Sequence, residues 1–382
     1  MSSDTAAGDG VVQMVRESVR DFAAREKDLS AFRLRMRTWP GHDAGQFARM
    51  QDLGWRTALV GEPFGGAGMG LHEAAAIAEE LGGALLGEPF VATAVLPVRL
   101  LQDGAARTEA GALLQRAAAG EATLALAWQE QSASIDAADI ATEARPRAGG
   151  HVLSGRKAWV AGASAATDLL VSARCGAGIG VYHVPRDAPG LVWTHAWQAD
   201  GTPACVLALD AVELPATAEL VPPAAGAAAL ARALDAAVVV ASAELLGLAR
   251  SALDMTLAYM RTRVQFDKPI GSFQALQHKA ADLLVQRELS AAVLEEALAV
   301  FDGPDAAPGQ RAAVAARCKA RCSDAALRIT RECIQLHGAI GYTHEYDLGL
   351  YLKRALVLAA WLGNGAQQRR RHATLAVRGA PV

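Results

Sequence analysis

Two short segments combine charged, amide and glycine residues in an order that suits the binding of a large polar cofactor. The first runs from Arg263 to Gln274 and the second from Gln335 to Tyr342. An arginine offers a planar fork of donors that matches a pyrophosphate, and glutamine side chains can bond the polar edges of a ligand. Gly338 and Gly341 leave the backbone open to close approach. Taken singly, the arginine also suits a surface charge and the glycines a helix cap, so the predicted cofactor site depends on their joint order.

The same two segments closely resemble signature sequences of the acyl-CoA dehydrogenase family. Gly155 to Val160 and Gly54-Trp55 resemble the family too, and the matches follow its order over nearly the whole chain. The resemblance implies FAD as the cofactor. It also implies which residues contact FAD, with the tryptophan stacking near the isoalloxazine: Arg263, Phe266, Gln274, Gln335, Gly338, Gly341 and Trp159.

The pattern of apolar residues divides the chain into three domains. Residues 1–122 show helical spacing, residues 123–220 show short apolar runs separated by turn residues, and residues 228–382 show long helical patterns. We therefore expect a mainly α protein with an inserted β domain, and we expect Leu220 to Gly226 to be a linker. The resemblance implies a helical N-terminal domain, a β-barrel-like middle domain and a C-terminal four-helix bundle.

Individual elements are predicted from the same patterns. Helices are expected at Val12 to Phe22, Ala75 to Leu85, Ala228 to Arg263, Gln274 to Val300 and Gln310 to Leu336, and on both sides of Gly363. Strands are expected at Thr123 to Ala127, His151 to Leu153, Leu169 to Ala173, Gly180 to Val184 and Cys205 to Leu209. The glycines between Glu62 and Gly70 predict a loop, and Gly176 to Gly180 predicts a hairpin turn rather than a dinucleotide fingerprint.

The resemblance implies a reaction for which this chain lacks the usual base. In the family a buried glutamate with a raised pKa removes the α-proton of an acyl-CoA thioester while a hydride leaves the β-carbon for flavin N5. The usual position of that glutamate corresponds to Leu362 here. In other members it lies on the first bundle helix, at a position that matches Ala237, and Val238 replaces a substrate-contacting arginine. Both known base positions are apolar, so the catalytic residue is unknown.

Two other carboxylates are candidates for the base. Glu244 lies on nearly the same face of the predicted helix as Ala237, but about 10 Å along the helix axis. Glu130 resembles the glutamate of a middle-domain motif that shapes the flavin site in relatives. The cofactor half departs from the family as well, because Asp267 replaces a usual glycine after Phe266. We expect FAD binding with an affinity that is low or depends on a partner chain.

Three functional hypotheses follow from the resemblance. The chain is an FAD-dependent acyl-CoA dehydrogenase whose base stands at a non-standard position. Alternatively, it is a non-catalytic subunit that completes the FAD site of a heteromeric acyl-CoA dehydrogenase, or a flavin- or acyl-CoA-binding protein with an altered reaction. The expected partners are an acyl-CoA substrate, electron-transfer flavoprotein or a similar acceptor, and either further copies of this chain or a sister chain.

Composition excludes several other classes of function. The formal charge is −3 and the sequence pI is about 6.3, so neither nucleic acid nor an anionic membrane is an expected partner. The five cysteines are scattered and odd in number, which favours a reducing compartment over a disulfide framework. No secretory signal is evident at the start of the chain, and no membrane span or metal site is expected. We therefore predict a cytoplasmic protein.

Overall fold

The computed structural model describes residues 2–104, 107–131, 135–303, 306 and 308–379. Helices dominate both ends of the sequence, and the strands of one sheet lie between them. The helices are α1 (Ser2–Glu26), α2 (Leu29–Arg35), α3 (Ala44–Asp52), α4 (Leu71–Ala84), α5 (Leu96–Gly104), α6 (Thr108–Ala118), α7 (Pro223–Thr262), α8 (Gln274–Asp302), α9 (Pro308–His337), α10 (Leu348–Ala360) and α11 (Gly365–Gly379). A π-helical turn over Val91–Val95 leads into α5.

The middle of the sequence forms an eight-stranded sheet. Its strands are β1 (Leu124–Ala127), β2 (Glu143–Arg147), β3 (Gly150–Val160), β4 (Asp168–Cys175), β5 (Gly178–Pro185), β6 (Leu191–Trp197), β7 (Pro203–Pro215) and β8 (Glu219–Val221). They follow the order β6-β7-β3-β2-β4-β5-β8, and β1 pairs in parallel with β4. The hairpin turn predicted after Cys175 is confirmed, since β4 and β5 pair in antiparallel register around Gly176 and Ala177. A further two-stranded hairpin joins β9 (Val264–Gln265) and β10 (Lys268–Pro269).

The sheet surrounds an apolar core. Leu153, Leu169, Val171, Tyr182 and Leu207 are all fully buried in it. Alternate residues of a strand point to opposite faces, so these positions define the inward face of β3, β4, β5 and β7. Burying side chains of this size stabilises the fold by about 1.5 to 3 kcal/mol each.

The segment Leu220 to Gly226 is not a linker, contrary to the sequence-based prediction. Leu220 lies within β8, which pairs with β5, and α7 begins at Pro223. Proline interrupts a helix only in its interior; in the first turn its missing N–H is not needed and its fixed φ suits the helix. The prolines of this segment therefore mark the start of a helix rather than a gap between domains.

The structure forms two compact units. One contains the residues up to 33, 75–87 and those from 238 onward, and the other contains residues 34–74 and 88–237. In the first unit α9 packs against α8, α10 and α11. Of the described helices, α7 alone has the length and apolar composition to cross a membrane, and 67% of its most apolar window is buried within the protein. That burial is what the core helix of a bundle shows.

Close crossing of α4 and α7 fixes part of the first unit. A Cβ on Gly247 would lie 1.8 Å from the carbonyl oxygen of Glu79, and a Cβ on Gly82 would lie 2.5 Å from that of Glu244. Only glycine allows the two backbones to approach so closely. Arg250 Nη1 also bonds Oε1 of Glu79 at 2.5 Å, which ties the two helices together. The segment of α7 that carries Glu244 is thereby held rigidly.

Candidate active site

Arg263 lies directly after α7, at the base of the β9–β10 hairpin. Its carbonyl oxygen accepts a hydrogen bond from the N–H of Ile270 at 2.8 Å, which closes the hairpin. Phe266 and Asp267 form the tip, with φ of 52° and 64°. Two successive positive φ values are typical of a tight hairpin turn, in which aspartate is tolerated and glycine is preferred. Asp267 thus takes over the backbone role of the glycine that it replaces, but adds a negative charge.

The side chains expected to reach FAD from this segment face solvent. Phe266 is 86% exposed, and Arg263 and Gln274 are exposed as well. Phe266 makes an edge contact with Phe273, with ring centroids 6.1 Å apart. The Arg263 guanidinium has no hydrogen bond or ion pair among the described residues. An exposed aromatic ring and an exposed guanidinium within one short hairpin are typical of a binding surface.

The end of α9 carries the second predicted segment. Gln335 is exposed and accepts a hydrogen bond from the hydroxyl of Tyr342 at 3.4 Å. Gly338 follows the helix with a φ of 67°, and a Cβ built on it would meet nothing within 4 Å. A Cβ on Gly341 would instead lie 2.6 Å from the carbonyl oxygen of Ile334. Gly338 therefore leaves room for a ligand, whereas the chain's own packing requires glycine at 341.

The structure brings these two segments together. Tyr259 lies on α7 one turn before Arg263, and its backbone carbonyl oxygen accepts a hydrogen bond from the N–H of Arg263 at 2.8 Å. Its ring stacks on His337, which lies between Gln335 and Gly338, with centroids 4.2 Å apart. His337 lies inside the second signature segment, but sequence spacing alone does not predict this stacking.

Trp159 belongs to the other unit and stands at an irregularity of β3. The pairing of β3 with β7 shifts between Lys157 and Val160, and Trp159 has a φ of 56°. A bulge of this kind aims one side chain out of the regular alternation, and Trp159 is 45% exposed. A surface-facing aromatic ring is consistent with stacking on a flat ligand and not with a core tryptophan.

Leu362, at the position predicted for the family's catalytic glutamate, is buried and conformationally strained. Leu362 is 4% exposed and has a φ of 59°. Its carbonyl oxygen accepts a hydrogen bond from Gln368 Nε2 at 2.6 Å. The left-handed conformation costs about 1 to 2 kcal/mol for a residue with a side chain. The turn therefore keeps an unusual backbone conformation although its side chain is apolar.

A buried lysine, Lys319, stabilises this turn through hydrogen bonds to backbone carbonyl groups. Lys319 Nζ donates to the carbonyl oxygen of Leu358 at 2.8 Å and lies 3.4 Å from that of Gly363. Burial lowers the pKa of Lys319 to about 7. The carbonyl groups at the end of α10, which lack helical partners, are thus satisfied by a side chain from α9.

The alternative base position provides no carboxylate either. Ala237 and Val238 are 0% and 2% exposed on α7, so both are packed in apolar surroundings. Glu244, two turns further on, is held by Arg354, whose Nε and Nη2 lie 2.9 and 2.6 Å from one carboxylate oxygen. A carboxylate in such a pair is oriented toward the arginine and away from other partners. These contacts weigh against Glu244 as a base.

Glu130 is held even more firmly. Its carboxylate accepts hydrogen bonds from the backbone N–H groups of Ala141 and Thr142 at 2.7 and 2.9 Å, and from Lys157 Nζ at 2.6 Å. Burial opposes the charged form, but Lys157 and these donors outweigh it and hold the pKa of Glu130 below its usual range. A base for this reaction needs a raised pKa, so the geometry favours a structural role for Glu130.

One further carboxyl, which sequence patterns did not identify, has a raised pKa. Burial raises the pKa of Glu88 to about 7, and its Oε2 atom has no hydrogen-bond partner among the described residues. It precedes the π-helical turn Val91–Val95, on which the segment after Trp159 packs: a Cβ on Gly162 would lie 2.8 Å from Thr93 Cγ2. A single charge inside an apolar stretch was the available signal, because such a charge is either buried or functional.

The residues present fit FAD and give no support for a metal. Arg263, Gln274 and Gln335 supply exposed donors suited to phosphate and amide groups, and Gly338 leaves open space beside them. Trp159 and Phe266 supply exposed rings. Within the described part of the chain, no group of His, Cys, Asp and Glu residues is arranged to hold a metal ion.

Comparison with known families gives a consistent result along the whole chain. Residues 11–121 match the N-terminal domain of acyl-CoA dehydrogenases, residues 125–212 match the middle domain, and residues 224–375 match the C-terminal domain.

Similar proteins and structures cover almost the full length. "Probable acyl-CoA dehydrogenase YngJ" of Bacillus subtilis is 30% identical over 94% of this chain and 95% of its own length. "Acyl-CoA dehydrogenase IpdE2" of Mycolicibacterium smegmatis is also 30% identical, over 94% of this chain and 96% of its own length. The solved Tcur3481-Tcur3483 steroid ACAD is 29% identical with a TM-score of 0.87, covering 97% of this chain and 99% of that chain. Butyryl-CoA dehydrogenase of Megasphaera elsdenii, at 22% identity and a TM-score of 0.87 over 96% of this chain and 98% of that chain, confirms the predicted fold.

Proposed function

Because the chain belongs to the acyl-CoA dehydrogenase family of FAD-dependent oxidoreductases, we propose that it completes the FAD site of a heteromeric enzyme. In this proposal a sister chain of the same family supplies the catalytic glutamate. The observation that carries it is the state of the two positions and the two carboxylates that the sequence suggested for the base. Leu362 and Ala237 are apolar and buried, and Glu244 and Glu130 are held in ion pairs.

The proposed reaction is α,β-desaturation of an acyl-CoA thioester. The sister's carboxylate takes the proton from the α-carbon, and FAD, when bound, supplies the acceptor for the hydride that leaves the β-carbon. The product is an α,β-unsaturated acyl-CoA, and the two electrons pass on to electron-transfer flavoprotein or a similar acceptor. We place this chemistry in the cytoplasm, where the five free cysteines would stay reduced.

This chain's residues would bind and orient the cofactor. Arg263 would pair with the pyrophosphate through its planar guanidinium, and Gln274 and Gln335 would bond polar groups. Trp159 would stack on the flavin ring. The charge of Asp267, at the tip of the hairpin that begins after Arg263, would oppose a phosphate and lower the affinity of the chain for FAD.

A relative supports the two-chain arrangement. The solved steroid ACAD that is 29% identical to this chain carries two chain names, Tcur3481 and Tcur3483. We extend that pairing to this chain because the loss of the base at 362 is accompanied by loss of the arginine expected at 238. A chain that had merely moved its base would still need to hold the thioester.

Purification of this chain with and without a sister chain tests the proposal. The sister is a family member encoded nearby that has a glutamate at the position equivalent to Leu362. Both preparations are measured for bound FAD and for dye-linked oxidation of a panel of acyl-CoA thioesters. We expect oxidation only from the two-chain complex, and we expect its loss when the sister's glutamate is replaced by glutamine. Robust oxidation by this chain alone would contradict the proposal.

The rival proposal is a complete acyl-CoA dehydrogenase with its base at a non-standard position. Glu88 is the residue that favours it, since its carboxyl is buried, its pKa is raised to about 7, and Oε2 is unpaired. These are the properties that a base for this reaction requires. If the chain alone oxidises acyl-CoA, replacement of Glu88 by Gln tests that assignment, because loss of turnover with FAD still bound would identify Glu88 as the base.

A further inference from the structure

A compact aromatic cluster surrounds His337 at the end of α9. His337 is 4% exposed, its ring stacks on Tyr259 at 4.2 Å with an interplanar angle of 21°, and it lies 4.8 Å from the ring of Tyr346. Tyr259 and Tyr346 also make an edge contact, with centroids 6.4 Å apart. Three rings from three parts of the first unit therefore pack against one another.

The hydrogen bonds of His337 determine its tautomer. Nδ1 lies 2.8 Å from the carbonyl oxygen of Cys333, which can only accept, so Nδ1 carries the proton. Nε2 is then an acceptor, and the hydroxyl of Tyr346 donates to it at 3.0 Å. Burial holds the pKa of His337 below its usual value, which keeps this neutral form.

The cluster connects the two segments that were assigned to FAD. The backbone carbonyl oxygen of Tyr259 accepts a hydrogen bond from the N–H of Arg263 at 2.8 Å, as in a last helical turn, and the Tyr259 hydroxyl donates to the carbonyl oxygen of His337 at 3.4 Å. His337 is two residues from Gln335 and directly precedes Gly338. The stacked rings of Tyr259 and His337 therefore link the end of α7 to the end of α9.

We propose that His337 is a positioning residue that holds Arg263 and the Gln335–Gly338 segment at the separation that FAD requires. Tyr346 fixes the ring of His337 through its hydroxyl, and Tyr259 transmits that position to Arg263. This inference rests on the proposed contacts of Arg263 and Gln335 with FAD. It adds that residues which do not touch the cofactor determine its affinity.

Tyr346→Phe is the most direct variant, because it removes the hydroxyl and keeps the ring. The Nε2 acceptor of His337 is then left buried without its donor, and we expect the Kd for FAD to rise about tenfold, in line with the loss of one buried hydrogen bond. His337→Leu should raise it at least as much. His337→Gln retains an acceptor that can reach Tyr346 and should recover most of the affinity.

Tyr351→Phe is the matched control for loss of stability. Tyr351 is a fully buried tyrosine of the same unit, and its hydroxyl donates to the carbonyl oxygen of Gly83 at 3.0 Å. Its removal should lower the melting temperature as Tyr346→Phe does, without changing the Kd for FAD. If His337 had only a structural role, all these variants would change the melting temperature and the Kd for FAD in the same way.

The measurement is titration of the apoprotein with FAD, followed by quenching of flavin fluorescence, on whichever assembly holds FAD in the wild type. Gln335→Ala is titrated in parallel. If Gln335→Ala weakens binding and Tyr346→Phe does not, the inference is overturned and the FAD contact stands. If neither Tyr346→Phe nor Gln335→Ala changes the Kd for FAD, both the inference and the proposed contact of Gln335 with FAD are overturned. The inference is supported if Tyr346→Phe and His337→Leu raise the Kd for FAD, while His337→Gln and Tyr351→Phe leave it close to the wild-type value.

Discussion

Arg354 donates two hydrogen bonds to Oε1 of Glu244, from Nε at 2.9 Å and from Nη2 at 2.6 Å. Both side chains are largely shielded, with 17% and 11% of their surfaces exposed. Glu244 is the carboxylate of α7 that shares a helix face with Ala237, and Arg354 engages it in an ion pair. If this chain has no base of its own, that ion pair must be structural.

Arg354→Leu should destabilise the protein strongly. Loss of one partner of a shielded ion pair leaves the other charge uncompensated, which costs about 3 to 5 kcal/mol. Glu244→Gln should cost less, because a neutral amide can still accept from Arg354. Urea denaturation measures both changes. In the active complex, Glu244→Gln should leave the rate per bound FAD unaltered; a large fall in that rate would mean that Glu244 takes part in proton transfer.

Asp267→Asn should strengthen FAD binding about threefold to tenfold, because it removes a charge that opposes the phosphates. Asparagine tolerates the positive φ of 64° found at this position. The exposed Asp282 on α8 provides a control with the same change in net charge, and Asp282→Asn should leave the affinity unchanged. Equal effects of the two substitutions would point to overall charge rather than to the hairpin tip.

Glu88→Gln should change the pH dependence of stability. The pKa of Glu88 is raised to about 7 in the folded protein, so this carboxyl contributes stability that is fully present below its unfolded pKa near 4.5 and is lost as the pH rises through 7. The glutamine variant should therefore gain about 3 kcal/mol relative to the wild type between pH 4.5 and pH 8. Urea denaturation across this range measures the difference. A constant difference would mean that Glu88 ionises normally.

Lys319→Met should destabilise the turn that carries Leu362. Lys319 donates to the carbonyl oxygens of Leu358 and Gly363, and an unsatisfied buried carbonyl costs about 1 to 3 kcal/mol. Ser323→Ala removes only the neighbouring hydroxyl, 3.1 Å from Lys319 Nζ, and should cost less. Thermal unfolding compares the two variants. Equal stabilities would show that water replaces the lysine at these carbonyl groups.

Much of the fold could be predicted from the sequence because its long helices and short strands carry clear apolar periodicities. The prediction failed at Pro223, since the effect of proline depends on whether it stands at the start or in the interior of a helix. Sequence spacing also located Arg263 and Gln335 within exposed segments. It did not reveal that Tyr259 and His337 join these segments, because stacking between α7 and α9 depends on packing that neither helix specifies alone.

The sequence also does not reveal the ion-pair partners of the candidate carboxylates. From the sequence, Glu244 and Glu130 were open candidates for a base, since nothing in their spacing identifies a partner. Arg354 lies 110 residues from Glu244, and Lys157 lies 27 residues from Glu130. Only the fold reveals that both carboxylates are paired. Glu88 is as deeply buried as Glu244, but its Oε2 atom has no hydrogen-bond partner among the described residues.

The most direct test of the central claim is whether acyl-CoA bleaches the flavin of this chain in the absence of any sister chain. The chain is loaded with FAD and mixed anaerobically with a panel of acyl-CoA thioesters, and the two-chain complex is treated in the same way. We predict that the chain alone retains its visible flavin absorbance and that the two-chain complex bleaches with at least one thioester. Bleaching of the wild-type chain on its own would contradict the account, because a carboxylate of this chain would then be removing the α-proton.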